Sequence, residues 1–518
     1  MNLNSNPEAE CLYSGNIYSS NHDRTKMQGG AMKIRKFYLL FCILAWLIFV
    51  NSAVADEPIK KQVTLHAGQV FQTMDGFGVN ITPAQWANGH LRPVIDMLVD
   101  DLGCTLFRFD CWGKADWLDP KMRNANGQYP AAYLKKIYTG PIFRDAWETF
   151  RYLNSKNIEP FFNISGRIPA ELAGADGQTL VDFDGYAEMA VTMLQWARNE
   201  EKLQFSLFAP FNETDLGFPE GPKLSPEYSL AAVKVMVDKM DQAGLTDVKL
   251  ILFCDAGPRV KMLDGVLTDP SLINRTTAFS THTYGDGGDQ EVGDWFLGKT
   301  PYAVFAEHIN NSPYKNSSVW MTEYGDLDQT GEVEFGFAWR STRRLFKFLQ
   351  DGFNAGLAWD AFDNLHEHDS AWATYGLFAT DRETWTYSPK PRYYAAKQVY
   401  RFVKPGFQRV EIKAISDNEN DVYKTWRSPL KHLQLLAFVS TDKKDFTING
   451  MSTIESNVEL SVNLEGLPGL TDATPVFYYR TSRNETCKAI KDVQIVGRQL
   501  KVLVTENSIF TLTTLADE

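Results

Sequence analysis

The chain has 518 residues, which is long for one simple domain and predicts two folded units. A hydrophobic content of 44% and an aromatic content of 13% allow a large core, and we interpret most aromatic side chains as core residues. The formal net charge of -12 argues against nucleic acid as a partner.

The N-terminal region has the pattern of an export signal. Residues 1–31 are polar and patternless, and we interpret them as an over-extended reading frame. Residues 32–55 have a basic start, an apolar run over 37–50 and small residues ending at Ala55, as in a signal peptide. The run is short for a membrane span. We expect a secreted or periplasmic protein without a stable membrane anchor; the alternative is an N-terminal anchor helix.

The cysteines predict no disulfide scaffold. After removal of the signal peptide the chain keeps Cys104, Cys111, Cys254 and Cys487. The first two bracket a predicted strand of seven residues, about 23 Å at about 3.3 Å per residue, which is beyond disulfide reach. No Cys/His spacing indicates structural zinc. We expect no metal and no cofactor.

Between residues 74 and 404, short apolar runs alternate with longer segments of helical period. The predicted strands are 74–81, 105–111, 158–165, 205–213, 248–255, 278–284, 318–324 and 355–362. Nearly continuous apolar strands separated by amphipathic helices predict a parallel sheet covered by helices. Eight such units predict an α/β fold, a closed (β/α)₈ TIM barrel over residues 74–404.

After residue 404 the pattern changes to short alternating strands separated by polar turns. These strands are 407–414, 421–426, 432–439, 458–463, 474–479, 491–496, 499–504 and 508–513. The pattern predicts an antiparallel β-sandwich as a side domain over residues 405–518. Residues 56–73 also alternate, and we expect them to add one or more strands to that sandwich.

Polar residues fall late in the barrel strands, at the ends where enzymes of this fold build their active sites. These residues are Arg108, Asp110, Asn163, Asn212, Glu213, Asp255, His282, Tyr284, Glu323 and Trp359. Glu213 and Glu323 follow apolar runs, where a carboxylate is costly unless it faces a cavity. Two such carboxylates, far apart in sequence, are the pair that glycoside hydrolysis requires.

The chain resembles the clan A glycoside hydrolases, which are retaining (β/α)₈ enzymes. In that clan an Asn-Glu pair ends the fourth strand and a glutamate ends the seventh, and Asn212-Glu213 and Glu323 match this pattern. The segments 75–78 and 390–406 resemble family 30, in which a side β-sandwich is fused to the barrel. Residues 163–167 depart from that family's pattern, so families 5 and 39 or a sibling family remain open.

The resemblance implies roles for the two carboxylates and their neighbours. Glu323 would be the nucleophile and Glu213 the acid/base, which starts protonated because a second charge beside Glu323 is unfavourable. Arg108 resembles the clan arginine that keeps the nucleophile ionised, and Tyr284 would donate to the same carboxylate. As structural alternatives, Arg108 forms an ordinary buried salt bridge and Tyr284 only packs.

Further residues are expected to contact the substrate or support the site. Asn212 would hydrogen-bond the sugar 2-hydroxyl, and His282 would hold Glu213 or a sugar hydroxyl. Trp359 would form the stacking floor of the subsite. As structural alternatives, His282 is a core histidine and Trp359 is a barrel plug. The remaining expected cleft-lining residues are Asn163, Trp112, Asp110 and Arg167.

The sequence therefore predicts a secreted retaining glycoside hydrolase that cleaves β-glycosidic bonds in a polysaccharide by double displacement. The aromatic residues of 112–142 could form a wall along an extended cleft, which favours endo action. The alternatives are a non-catalytic carbohydrate-binding barrel and an exo-acting β-glycosidase, with a metal-dependent hydrolase as a third. We interpret the segment 366–369 (His-Glu-His-Asp) as a substrate contact or a solvated loop rather than a metal site, because its spacing is a weak signal. We expect a monomer with a polysaccharide or oligosaccharide substrate.

Overall fold

The computed structural model describes residues 57–82, 86–110, 116–285, 300–326, 334–366, 371–414, 433–454, 456–490 and 493–517. Pro58–Glu518 forms one compact unit. The predicted signal peptide, the predicted strand 421–426 and Trp112 lie outside the described residues, as does most of the segment 366–369. Within the described ranges, no helix combines the length and the apolar character that crossing a bilayer requires.

Eight parallel strands close into a barrel, in sequence order, with the last strand paired to the first. The strand β1 (Ile59–Thr73) precedes them. The barrel strands are β2 (Gly76–Ile81), β3 (Leu106–Asp110), β4 (Phe161–Asn163), β5 (Leu207–Ala209), β6 (Lys249–Asp255), β7 (Thr276–Gly285), β8 (Ser318–Asp326) and β9 (Ala355–Ala358). This topology confirms the predicted TIM barrel.

Helices connect and cover the barrel strands. They are α1 (Arg92–Asp96), α2 (Ala131–Tyr138), α3 (Pro141–Ser155), α4 (Phe183–Asn199), α5 (Pro226–Gln242), α6 (Val260–Leu267), α7 (Pro301–Asn310), α8 (Glu334–Gln350) and α9 (Pro391–Tyr400). Several begin with proline, whose fixed φ suits the first helical turn. The side chain of Asp182 caps α4 by accepting from the Gly185 amide at 2.8 Å.

The inside of the barrel is filled by a small apolar cluster. Phe161, Ile251, Trp320 and Leu357 pack there with alanines from neighbouring strands. A larger core lies between the strands and the helices. Because this apolar cluster fills the barrel interior, the polar side chains lie above it, at the carboxyl ends of the strands where this fold builds its active sites.

A second sheet of ten strands forms the side domain, and two short hairpins lie in sequence between the last barrel strand and α9. The hairpin strands are β10 (Asn364–His366), β11 (Ala371–Ala373), β12 (Phe378–Thr380) and β13 (Tyr387–Pro389). The sheet strands after them are β14 (Gln408–Ala414), β15 (Leu433–Val439), β16 (Phe446–Ser452), β17 (Val458–Glu465), β18 (Phe477–Ser482), β19 (Glu485–Ile490), β20 (Ile495–Val496), β21 (Gln499–Val504) and β22 (Ser508–Thr513). The N-terminal β1 lies between β14, to which it is antiparallel, and β17, to which it is parallel.

Two strands of this sheet, β16 and β19, were absent from the sequence prediction. The β16 sequence contains Asn449-Gly450, a pair typical of turns. Its polar residues are typical of an exposed segment rather than a buried strand. In the structure the whole strand is buried. The Thr447 hydroxyl donates to the Phe402 carbonyl at 2.7 Å, and the Asn449 amide donates to the Gln398 carbonyl. The side chains of Thr447 and Asn449 therefore face α9 and the residues that follow it rather than solvent.

Candidate active site

The two glutamates reach the same place from opposite sides of the barrel. Glu323 lies within β8, whereas β5 ends at Ala209 and Glu213 lies four residues beyond it. The prediction extended that strand to residue 213. Residues 212 and 213 nevertheless remain beside β6. Asn212 pairs with Cys254 as an isolated bridge, and the Glu213 amide donates to the Cys254 carbonyl at 2.7 Å.

Glu213, Glu323 and His282 form a buried cluster. One side-chain ligand atom from each residue lies within 4.8 Å of the other two. The His282 Nδ1 is 2.8 Å from Glu213 Oε1 and 3.5 Å from Glu323 Oε2. The glutamates are only 6% and 5% exposed, and His282 is fully buried. His282 thus holds Glu213 and stands between the two carboxylates, one of the two positions anticipated for it.

Arg108 connects Glu323 to residues at the ends of other barrel strands. Its fully buried guanidinium donates to Glu323 Oε1, to Asn212 Oδ1 and, at 2.7 Å, to Asn80 Oδ1. Charge-assisted bonds of this kind are stronger than neutral ones. The contact between Arg108 and Glu323 is the one that the resemblance implied.

Tyr284 completes the environment of Glu323 by donating its hydroxyl to Oε2. Burial, together with the charges of Glu323 and Glu213, raises the pKa of Tyr284 well above its ordinary value. The phenol therefore stays protonated and remains a donor at any working pH. Gly325 permits the close packing of this corner, because a Cβ there would meet the Trp359 carbonyl at 3.0 Å and the Tyr284 ring at 3.7 Å.

The ionisation of Glu323 is set by opposing effects. Burial and the charge of Glu213 raise the pKa of its carboxyl group, while His282, the positive charge of Arg108 and the hydrogen bond from Tyr284 lower it. The net direction is upward. Arg108 alone therefore does not keep Glu323 ionised. Arg108, His282 and Tyr284 together oppose the rise in pKa that burial causes.

The remaining predicted residues occupy the expected end of the barrel. Asn212 accepts from Arg108 and donates to the Glu220 carbonyl at 2.9 Å, which leaves its second amide hydrogen directed elsewhere. Asn163 is fully buried at the end of β4. Trp359 is half-buried and follows β9 directly, and its amide donates to the Tyr324 carbonyl at 2.9 Å.

The predicted aromatic wall is wrong for the described part of the segment 112–142. Tyr138 is fully buried, and its hydroxyl lies 3.1 Å from that of Thr192. Tyr129 is buried, and Trp117 and Tyr133 pack against the same core. These rings pack in or against the core, because a large apolar face is stabilised more by burial than by lining a solvent-filled cleft.

One site residue was overlooked in the sequence. Asn80, at the end of the first barrel strand, orients Arg108 and donates its amide to the Thr322 carbonyl at 2.9 Å. Asn80 therefore links β3, which carries Arg108, to β8, which carries Glu323. The signal was available, because Asn80 is a polar residue between Val79 and Ile81 late in a predicted strand.

An exposed pair lies on the rim beside Glu213. Phe218, in the turn that follows Glu213, is 51% exposed, and the guanidinium carbon of Arg167 lies 5.2 Å from its ring centroid. The same turn is fastened by the amides of Leu216 and Gly217, which donate to the Glu213 carbonyl. Arg167 was predicted to line the cleft, whereas Phe218 was not predicted.

The cluster of Glu213, His282 and Glu323 has the atom types of a metal site. Arg108 and Tyr284 already donate to both oxygens of Glu323. A permanent guanidinium charge on the same carboxylate opposes the approach of a divalent cation. The arrangement therefore suits a proton-transfer and nucleophile pair better than a metal centre.

Comparison with known proteins identifies the fold. No protein-family model matches the chain, and no curated protein matches it. A glycoside hydrolase family 30 subfamily 8 xylanase from Clostridium acetobutylicum matches with a TM-score of 0.61 and 15% identity, covering 87% of this chain and 99% of its own. An endo-β1,6-glucanase matches with a TM-score of 0.60 and 15% identity, covering 87% and 93% of the two chains.

A family 51 arabinofuranosidase from Xanthomonas axonopodis pv. citri also matches, with a TM-score of 0.60 and 12% identity, covering 88% of this chain and 99% of its own. These solved structures are glycoside hydrolases, and the match extends over the barrel and the side sheet. The predicted resemblance to clan A enzymes with a side β-sandwich is confirmed as a fold. Identities this low establish the fold alone.

Proposed function

We propose that this protein is a retaining β-glycoside hydrolase. The observation that carries the proposal is the buried pair Glu213 and Glu323, with carboxylate oxygens within 4.8 Å of each other. Retaining enzymes separate their two carboxyl groups by about 5–5.5 Å, whereas inverting enzymes leave about 6.5–9.5 Å for a water molecule. The spacing here favours the retaining arrangement.

In the first step, Glu323 attacks the anomeric carbon while Glu213 gives its proton to the glycosidic oxygen. The carbon–oxygen bond to the leaving group breaks, and a glycosyl ester forms on Glu323. Arg108 and Tyr284 hold the two oxygens of Glu323, so the attacking carboxylate is oriented before substrate arrives. His282 orients Glu213 in the same way at 2.8 Å.

In the second step, Glu213 acts as the base. Esterification removes the negative charge of Glu323, so Glu213 is free to ionise and take a proton from water. The water attacks the anomeric carbon, the ester bond breaks and Glu323 is restored. The remaining amide hydrogen of Asn212 is placed to bond the sugar 2-hydroxyl, and Trp359 supplies the stacking floor.

We propose that the substrate is a polysaccharide cut internally. The exposed Phe218 with Arg167 offers a stacking surface in the turn that follows the acid/base, which suits sugar units on the leaving-group side. Two of the similar solved structures are named as a xylanase and an endo-β1,6-glucanase. A polysaccharide panel with products resolved by size tests this point, and release of monosaccharide alone would favour the exo alternative.

The catalytic proposal is tested with Glu323→Gln, which keeps the shape and removes the charge. We expect turnover to fall by about 10³-fold or more, while sugar binding measured by calorimetry persists. In wild-type protein, proton NMR should show the β-anomer as the first product from a β-glycoside. The matched control Glu307→Gln, on the exposed face of α7, should leave turnover unchanged.

Two outcomes would end the proposal. Unchanged turnover in Glu323→Gln would show that Glu323 is not the nucleophile. A first product of α configuration would indicate an inverting mechanism. Binding of sugar without turnover by wild-type protein would favour the non-catalytic alternative.

Independence from metal is a further expectation. Because the donors to Glu323 are a guanidinium and a phenol, activity should persist after dialysis against a strong chelator. Loss of activity that added divalent metal restores would favour the metal-dependent alternative.

We also propose that the protein is exported. The support is the sequence pattern of residues 32–55, after which the first described strand begins at Ile59. A polymeric substrate outside the cell agrees with that location.

A further inference from the structure

We infer that Asp255 is a positioning residue for the acid/base, because it holds the backbone turn that carries Glu213 in place. The inference rests on the proposed function. It concerns a buried carboxylate that the two catalytic steps do not use.

The backbone of Glu213 needs support from its surroundings. Its φ is 41°, in the left-handed region that is unfavourable for a residue with a side chain. Such a conformation persists only where neighbouring groups fix it. The amide of Glu213 is fixed by the Cys254 carbonyl at 2.7 Å.

Asp255 supplies the next fixed point along the chain. Its Oδ1 accepts from the Thr214 amide at 3.1 Å and from the Thr214 hydroxyl at 2.7 Å. Asp255 is 2% exposed and Thr214 is 1% exposed, so water does not compete for these bonds. Two successive residues, Glu213 and Thr214, are thus anchored to the end of β6.

The anchor itself is tied into the barrel. The Thr281 hydroxyl, on β7, donates to the Asp255 carbonyl at 3.1 Å. The charged groups that face the Asp255 carboxyl are Asp215, in the turn after Glu213, and Arg259, whose Nη1 is 3.7 Å from Oδ2. Burial and the charge of Asp215 raise the pKa of Asp255 to about 7. Burial of this carboxyl group costs free energy, and its hydrogen bonds to Thr214 offset that cost.

A displaced Glu213 would be a poorer acid, and that defect has a specific signature. Proton donation matters most when the departing group is a weak acid and least when it leaves without help. Loss of positioning should therefore slow the cleavage of phenyl β-glycosides far more than that of 2,4-dinitrophenyl β-glycosides of the same sugar. A general loss of folded protein would slow both equally.

The experiment compares kcat/KM for these two glycosides of a sugar that wild-type protein hydrolyses. For Asp255→Ala we expect a loss of about 10-fold or more with the phenyl glycoside and less than about 2-fold with the dinitrophenyl glycoside. Asp255→Asn keeps an oxygen that can accept both bonds, and should recover most of the loss. Thr214→Val keeps the shape without the hydroxyl, and should show the same preference at about 3-fold even if Asp255→Ala fails to fold.

Asp351→Ala is the matched control, because it removes another buried carboxylate, which accepts from the Thr300 hydroxyl at 2.6 Å and pairs with Lys347 rather than with the turn that carries Glu213. Its loss should be the same for both glycosides. Equal losses with both glycosides in Asp255→Ala or Thr214→Val would overturn the inference alone. Absence of turnover by wild-type protein on every β-glycoside tested, polymeric or aryl, would overturn the proposed function and the inference with it.

Discussion

Arg108 illustrates how one side chain can organise a site. It is fully buried and donates to Asn80, Asn212 and Glu323, three residues carried by or following three different strands. A buried cation of this kind is tolerated because a carboxylate and two amide oxygens accept hydrogen bonds from it. Without one of these partners, the buried guanidinium would have fewer hydrogen bonds to offset the free energy of its desolvation. Arg108 and its three partners therefore act as a unit.

The opposing effects on Glu323 lead to a pH prediction for Tyr284→Phe. The Tyr284 hydroxyl lowers the pKa of Glu323 against the larger effect of burial, so its removal raises that pKa further. A higher pKa means that less of the nucleophile is ionised at a given acidic pH. The acid limb of the kcat/KM profile should therefore move to higher pH, and the plateau should fall.

The control for this prediction is Tyr302→Phe, which removes a hydroxyl that donates to the His282 carbonyl at 3.1 Å rather than to a carboxylate. Its acid limb should stay where it is in the wild type. An acid limb in Tyr284→Phe that is unmoved, or that moves to lower pH, would contradict the assigned role of Tyr284.

Among the elements, β16 and α9 decide how the side sheet meets the barrel. Asn449 on β16 donates to the Gln398 carbonyl and, at 3.1 Å, to the Thr511 hydroxyl. Gln398 in turn donates its amide to Thr481 at 2.8 Å. The interface is thus a buried network of hydrogen bonds rather than a purely apolar contact, and such a network fixes a single relative arrangement.

Asn449→Ala should weaken this interface measurably. We expect the free energy of unfolding to fall by about 1–3 kcal/mol, because buried hydrogen bonds are lost without replacement. Urea denaturation followed by fluorescence measures the change. Asn484→Ala, on an exposed turn of the same sheet, should change it by no more than about 0.5 kcal/mol. Equal effects of the two substitutions would show that the network contributes nothing beyond surface contacts.

On the scale of the whole molecule, the side sheet is built from both ends of the folded chain. β1 precedes the barrel and yet lies inside the sheet, between β14 and β17. The barrel is therefore inserted between the first strand of the sheet and the rest. Processing of the N-terminal region must leave β1 intact if the sheet is to be complete.

Export can be checked by mass spectrometry. The protein made in a bacterial host and recovered from the periplasm or medium should begin near Asp56, three residues before β1. Full-length protein confined to the cytoplasm would contradict the proposed signal peptide. Cleavage inside β1 would be incompatible with the paired strand that the structure contains.

The sequence by itself determined the barrel, because eight apolar runs separated by helical segments leave few other ways to bury their faces. It also placed Glu213, Glu323, Arg108, His282 and Tyr284 at strand ends, since polar residues after apolar runs are costly elsewhere. Short-range pattern was sufficient for these inferences.

Only the tertiary structure decided which of those residues touch. The bond between His282 and Glu213, the role of Asn80 and the support of Thr214 by Asp255 join residues on different strands, and no local pattern encodes such distances. The same holds for β16, whose polar residues are buried because another domain covers them, and for Tyr138, whose ring fills the core. Burial depends on what packs against a residue, and that is a property of the folded chain.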